Sequence, residues 1–140
     1  ETHPSVKISK HRLDEFFTDV SETTSMAAVY AANHLASIKA IVGLTESGTT
    51  PRLMSRITTG LPIIAMSRHT STLNVMSLYR GVKPVYFDSS KSQPGYLTRD
   101  VVDVLRDNGI LQIGDQFMLT YGDQMETVGA TNVCKIVTVA

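Results

Sequence analysis

Six consecutive residues carry most of the chain's capacity for chemistry: Thr45-Glu46-Ser47-Gly48-Thr49-Thr50, followed directly by Pro51. The hydroxyls of Ser47, Thr49 and Thr50 are donors of the kind that hold an anion. Gly48 lets the backbone approach a ligand closely. Thr50 is placed to N-cap a helix, and Pro51 suits that helix's first position. The free amides of a helix start favour negative charge in front of them. The chemistry implied is the binding of an anion, not its transformation. A capped strand-to-helix turn with no ligand would use the same residues. The spelling fits neither the Walker pattern nor the dinucleotide glycine pattern.

No other set of residues competes with this one. Asp100, Asp103 and Asp107 share a helical face with Arg99 and Arg106, so they read as a solvated face rather than a metal site. His3, His11, His34 and His69 have no ligand spacing, and His34, near a helix C-terminus, reads as structural. No nucleophile is paired with a base. The single cysteine, Cys134, has no disulfide partner within the chain and reads as a buried, inert thiol. No metal or other cofactor is expected in this domain.

A cradle needs a strand to deliver it and a helix to leave from it. Ala40–Leu44 is a continuous apolar run, as in a strand buried on both faces. A helix Pro51–Thr59 follows and stops at Gly60. The alternation continues: strand Pro62–Met66, helix Ser71–Arg80, strand Lys83–Phe87, helix Tyr96–Asn108, strand Gln116–Tyr121 and strand Val133–Val139. Ahead of these, Asp19-x-x-Glu22 resembles a capping box opening a helix over Ser21–Ser37, with Met26, Tyr30, Leu35 and the alanines between them in a core stripe whose small residues allow close packing. Residues 1–18 read as a linker or N-terminal arm, and residues 19–140 as one domain. The fold class predicted is α/β, three layers α/β/α, with a five-stranded, mostly parallel sheet and an antiparallel last strand.

In such sheets ligands sit at the carboxyl ends of the strands. The loops there are Thr45–Thr50, Ser67–Thr70, Asp88–Ser92 and Gly122–Asn132, and they hold Arg68, His69 and Lys91. This predicts one anion-binding edge built from four loops.

Thirteen basic residues balance thirteen acidic ones, so no global field draws nucleic acid or an anionic membrane. No apolar run approaches the ~20 residues of a membrane span. A reducing cytoplasm is the expected compartment. The chain begins at Glu1 rather than methionine, which fits a fragment of a longer protein.

Several motifs carry a resemblance to a known family. They are Thr45-x-Ser47-Gly48-x-Thr50, Ser67-Arg68-His69, Leu78-Tyr79-Arg80-Gly81-Val82-x-Pro84, Gly114-Asp115, Gly129-x-Thr131-Asn132 and Tyr30-Ala31-Ala32-Asn33-His34-Leu35. From about Pro4 to its end the chain resembles the C-terminal domain of pyruvate kinase, in the bacterial type that does not depend on fructose bisphosphate. The resemblance implies a regulatory domain that binds a phosphorylated effector and helps to assemble a homotetramer. The parent enzyme would convert phosphoenolpyruvate and ADP to pyruvate and ATP, using Mg²⁺ and K⁺. Its catalytic barrel is not within 140 residues, so the isolated chain is expected not to catalyse. The effector's phosphate would lie in the loop Thr45, Glu46, Ser47, Gly48, Thr49 and Thr50, near Arg68. The segment containing Gly122 and Gly129 would close over it. Members that bind fructose 1,6-bisphosphate usually carry Lys or Arg within this loop, which here has Glu46 and Thr49 and no cation. That favours AMP or a sugar monophosphate over fructose 1,6-bisphosphate. Arg80 is expected to anchor a helix end. Ser47→Ala and Thr50→Ala are expected to weaken effector binding more than folding. A stand-alone phosphosugar- or nucleotide-binding protein, or a small enzyme of the same fold, is the competing reading. A domain that only assembles the tetramer is another.

Overall fold

The computed structural model describes residues 19–56, 59–122 and 131–140. The expected arm at 1–18 lies outside the described residues. The chain runs α1 (Val20–His34), β1 (Ile38–Leu44), α2 (Thr49–Ser55), β2 (Ile63–Ser67), α3 (Thr70–Met76) and β3 (Val82–Tyr86). A 3-10 turn (Ser89–Lys91), α4 (Leu97–Asp107), β4 (Gln116–Tyr121) and β5 (Val133–Thr138) complete it. The sheet order is β3-β2-β1-β4-β5. All neighbours are parallel except β4 and β5. This is the predicted α/β sheet.

The core explains why β1 and β2 read as unbroken apolar runs. Successive side chains of a strand point to opposite faces, and both faces are covered. Ala40, Val42, Leu44, Ile64, Met66, Phe117 and Leu119 pack with Val101, Val102 and Leu105 of α4. Ile41, Ile63 and Met118 pack on the other side with Met26, Val29 and Ala32 of α1 and Met54 of α2. Gly43, at the centre of the sheet, sits close against β4. A Cβ there would stand 3.2 Å from Thr120 Oγ1, a tight approach, and in ordinary contact with Met54 Cε and Pro51 Cγ of α2.

Helix α1 begins as its sequence predicts, with the Asp19 carboxylate accepting from the Ser21 amide at 3.0 Å. It ends at His34, short of Ser37, because Leu35 turns extended. Tyr30 and Leu35 are exposed rather than core. The stripe that packs is built from Met26, Ala28, Val29 and Ala32, and its small residues bring the helix close to the sheet. Tyr30 stacks instead on His34, with ring centroids 4.1 Å apart, and His34 Nδ1 lies 2.7 Å from the Tyr30 carbonyl.

Two further expectations are corrected. Helix α3 stops at Met76, not Arg80, and the chain turns through Gly81 at φ 75° into β3. Arg80 is exposed and makes no hydrogen bond to a described residue, so it anchors no helix end. Cys134 is exposed, not buried. It lies on β5, which among the described residues is an edge strand paired only with β4. Pro84 suits the opposite edge, since β3 also has one neighbour and a proline lacks the second-side donor.

Candidate anion-binding site

Three parallel strands deliver three loops to one edge. The ladder runs past the strand ends: Thr45 N donates to Met66 O and Phe87 N to Ser67 O, both at 2.9 Å. This fixes Thr45–Thr50 beside Arg68 and His69, with Asp88 next along.

The first loop is knitted by its own hydroxyls. Gly48 N donates to Thr45 Oγ1 at 2.7 Å, and Ser47 Oγ and Thr49 Oγ1 share a hydrogen bond at 2.8 Å. Thr49 N reaches Ser47 Oγ at 3.4 Å. Arg52 N donates to Gly48 O at 3.1 Å, which is the first helical bond of α2. Gly48, not Thr50, therefore stands at the helix cap. Pro51 sits in the third helical position, where its missing N–H would have had no intrahelical partner. Gly48 is required twice over, by a φ of 86° and by Met76 Cε, which a Cβ would meet at 2.4 Å.

Thr50 has another task. It is 2% exposed, and its hydroxyl donates to Thr131 Oγ1 at 2.8 Å. That bond ties the start of α2 to the residue that leads into β5. Gly122, at the end of β4, is buried, and Asn132 N closes the strand pair on Tyr121 O at 3.1 Å. Gly129 and most of Gly122–Asn132 lie outside the described residues.

Glu46 is held by the β2–α3 loop and by α3. Its carboxylate accepts from His69 Nε2 at 2.6 Å and from Arg68 at 3.3 Å. Its carbonyl accepts from Thr72 Oγ1 of α3 at 2.9 Å. These partners stand 22 to 26 residues away, so no local pattern announces them. On the third loop, Asp88 accepts from the Ser90 hydroxyl at 2.6 Å and its amide at 3.0 Å. These bonds, with the charges of Arg68 and Lys91 beside them, hold its carboxyl below the usual range. Farther along, Lys91, Gln93, Tyr96, Arg99 and Asp100 line a shallow depression of about 270 Å³, where the Arg99 guanidinium lies 4.5 Å from the Tyr96 ring.

The acidic face of α4 is a solvated one. Arg106 pairs with Asp103 at 3.1 Å and Asp107 at 3.3 Å, and donates to the Ala140 carbonyl at 2.9 Å. Among the described residues no three His, Cys, Asp or Glu groups are placed to hold a metal. No helix among them is long and apolar enough to cross a membrane.

The sequence and this architecture meet in one family. Residues 22–137 match the family described as "Pyruvate kinase, alpha/beta domain". The chain belongs to that family. Relatives of the pyruvate kinase alpha/beta domain are close along its whole length. It is 52% identical over 139 residues to pyruvate kinase II of Salmonella typhimurium, covering 99% of this chain and 29% of that protein. It is 44% identical over 136 residues to a pyruvate kinase of Haemophilus influenzae, covering 96% of this chain and 28% of that one. Pyruvate kinase 1 of Saccharomyces cerevisiae is 34% identical over 129 residues, covering 87% of this chain and 25% of the yeast protein. The chain thus spans under a third of the length of these relatives.

Proposed function

We propose that this chain is a regulatory and assembly domain of a cytoplasmic pyruvate kinase, and that its Thr45–Thr50 loop binds the phosphate of a monophosphorylated effector. The observation that carries the reading is the state of the loop's donors. The amides of Glu46, Ser47 and Thr50 make no hydrogen bond to another described residue, and they stand beside the exposed Ser47 hydroxyl. Donors of this kind at a helix start suit a phosphate. No cation lies within the loop itself, which favours one phosphate over two. AMP and sugar monophosphates such as ribose 5-phosphate and glucose 6-phosphate are the ligand classes that fit.

The transfer of phosphate from phosphoenolpyruvate to ADP, with Mg²⁺ and K⁺, belongs in this reading to a catalytic barrel outside these 140 residues. No step of that reaction is assigned to this chain.

Calorimetric titration with AMP, glucose 6-phosphate, ribose 5-phosphate and fructose 1,6-bisphosphate tests the effector role. A monophosphate is expected to bind in preference to the bisphosphate. Ser47→Ala should weaken it about tenfold, the loss of one hydrogen bond to a charged group, with thermal unfolding unchanged. Thr50→Ala should behave differently. It strands the Thr131 hydroxyl and costs about 1–2 kcal/mol of stability. Equal affinity in wild type and Ser47→Ala would remove the loop from the site.

Assembly is assigned to β5. Its outer edge is unpaired among the described residues, and Ile136 on it is exposed. The β3 edge carries Lys83 and Pro84, which discourage strand pairing. Sedimentation equilibrium should find self-association that Ile136→Lys weakens at least tenfold. A monomer at every concentration would dismiss this role for β5.

A further inference from the structure

Glu46 is the one group in the loop whose charge opposes an anion, yet it is 12% exposed and held by Arg68 and His69. We propose that Glu46 is a positioning residue: it holds Arg68 and His69 against the Thr45–Thr50 loop, so that its removal weakens anion binding instead of relieving a repulsion. This inference rests on the anion-binding reading above.

Three contacts seat the loop on the segment Arg68–Met76. The Glu46 carboxylate takes the hydrogen bonds of Arg68 and His69, and a carboxylate only accepts, so His69 Nε2 carries the proton. The Glu46 carbonyl takes the Thr72 hydroxyl. Gly48 lies flat against Met76, with no room for a Cβ. The carboxylate is therefore committed to two side chains of the next loop. Its charge is compensated at contact distance, and a compensated pair has a weaker reach than a lone charge.

Charged groups from three loops face this cluster. Glu46 comes from the β1–α2 loop, Arg68 and His69 from the β2–α3 loop, and Asp88 with Lys91 from beyond β3 through Arg68. Two carboxylates balance Arg68 and Lys91.

Sulfate is the probe. The full chain is titrated with sodium sulfate at constant pH, followed by the amide resonances of Thr45–Thr50. Wild type, Glu46→Ala and Glu46→Gln are compared. Glu46→Ala should weaken sulfate binding about tenfold, the value of a hydrogen bond to a charged group. Glu46→Gln, which keeps one acceptor oxygen, should weaken it less. Equal or tighter binding by Glu46→Ala, in a variant whose unfolding is still cooperative, overturns the positioning role and leaves the anion site standing. Absence of saturable sulfate shifts at Thr45–Thr50 in wild type overturns the anion-binding reading itself, and the inference falls with it.

Discussion

Gly48→Ala is expected to cost about 2–4 kcal/mol of stability and to abolish anion binding at the Thr45–Thr50 loop. Two penalties combine. A φ of 86° belongs to the left-handed region, where a Cβ costs roughly 1–2 kcal/mol. The new methyl would also stand 2.4 Å from Met76 Cε and 3.0 Å from its Sδ. That sulfur-bearing side chain is flexible, but Met76 is only 1% exposed, so its displacement must move packed neighbours. Overpacking of this kind costs about 1–3 kcal/mol. Gly81→Ala isolates the first penalty, because Gly81 has a φ of 75° and nothing within 4 Å of the point its new methyl would occupy. It should lose only about 1 kcal/mol. Denaturant unfolding of the two variants checks the comparison, and equal losses would show that Met76 gives way freely.

Phe117→Ala is expected to have the largest effect on folding, about 3–5 kcal/mol. Phe117 is fully buried on β4, next to the central strand, and it packs in the layer that joins the sheet to α4. Truncation removes most of an aromatic ring from a core with little freedom to collapse, so it leaves a cavity as well as losing burial. Domains are stable by only about 5–15 kcal/mol, and the transition should fall by ~10 °C. Leu78→Ala is the contrast. Leu78 is 82% exposed, and its loss should stay within about 0.5 kcal/mol. A calorimetric melt of both decides the matter. A shift of under about 3 °C for Phe117→Ala would mean that β4 is not part of the cooperative core.

The local sequence determined the elements and the sheet. Apolar runs of strand length at Ala40–Leu44 and Pro62–Met66 cannot be satisfied with one face in water, so a doubly covered sheet follows from hydrophobicity alone. Asp19 set the start of α1, and Gly109 follows closely on the end of α4. Other boundaries were legible less well. Helix α1 ends where Leu35 turns extended and α3 at Ser77, ahead of Gly81, which periodicity does not record. Tyr30 is a similar case. It lies at helical spacing for the core, but the small residues Ala28 and Ala32 bring α1 too close to the sheet to admit a phenol ring between them, and it stacks on His34 instead.

The site divides in the same way. That Thr45–Thr50 should cradle an anion is a statement about residue types, and the sequence carries it through hydroxyls, a glycine and a helix start. What each residue does there was decided by tertiary structure. The helix opens at Thr49 because Gly48 can turn where Thr50 cannot, and Thr50 is then free to bond Thr131, 81 positions away. Glu46, which by type alone repels an anion, is held by Arg68 and His69 only because parallel strands bring the ends of β1 and β2 side by side. Hydrophobic pattern is a local property and fixes local structure. The partner of a charge is a non-local property, and only the assembled sheet selects it.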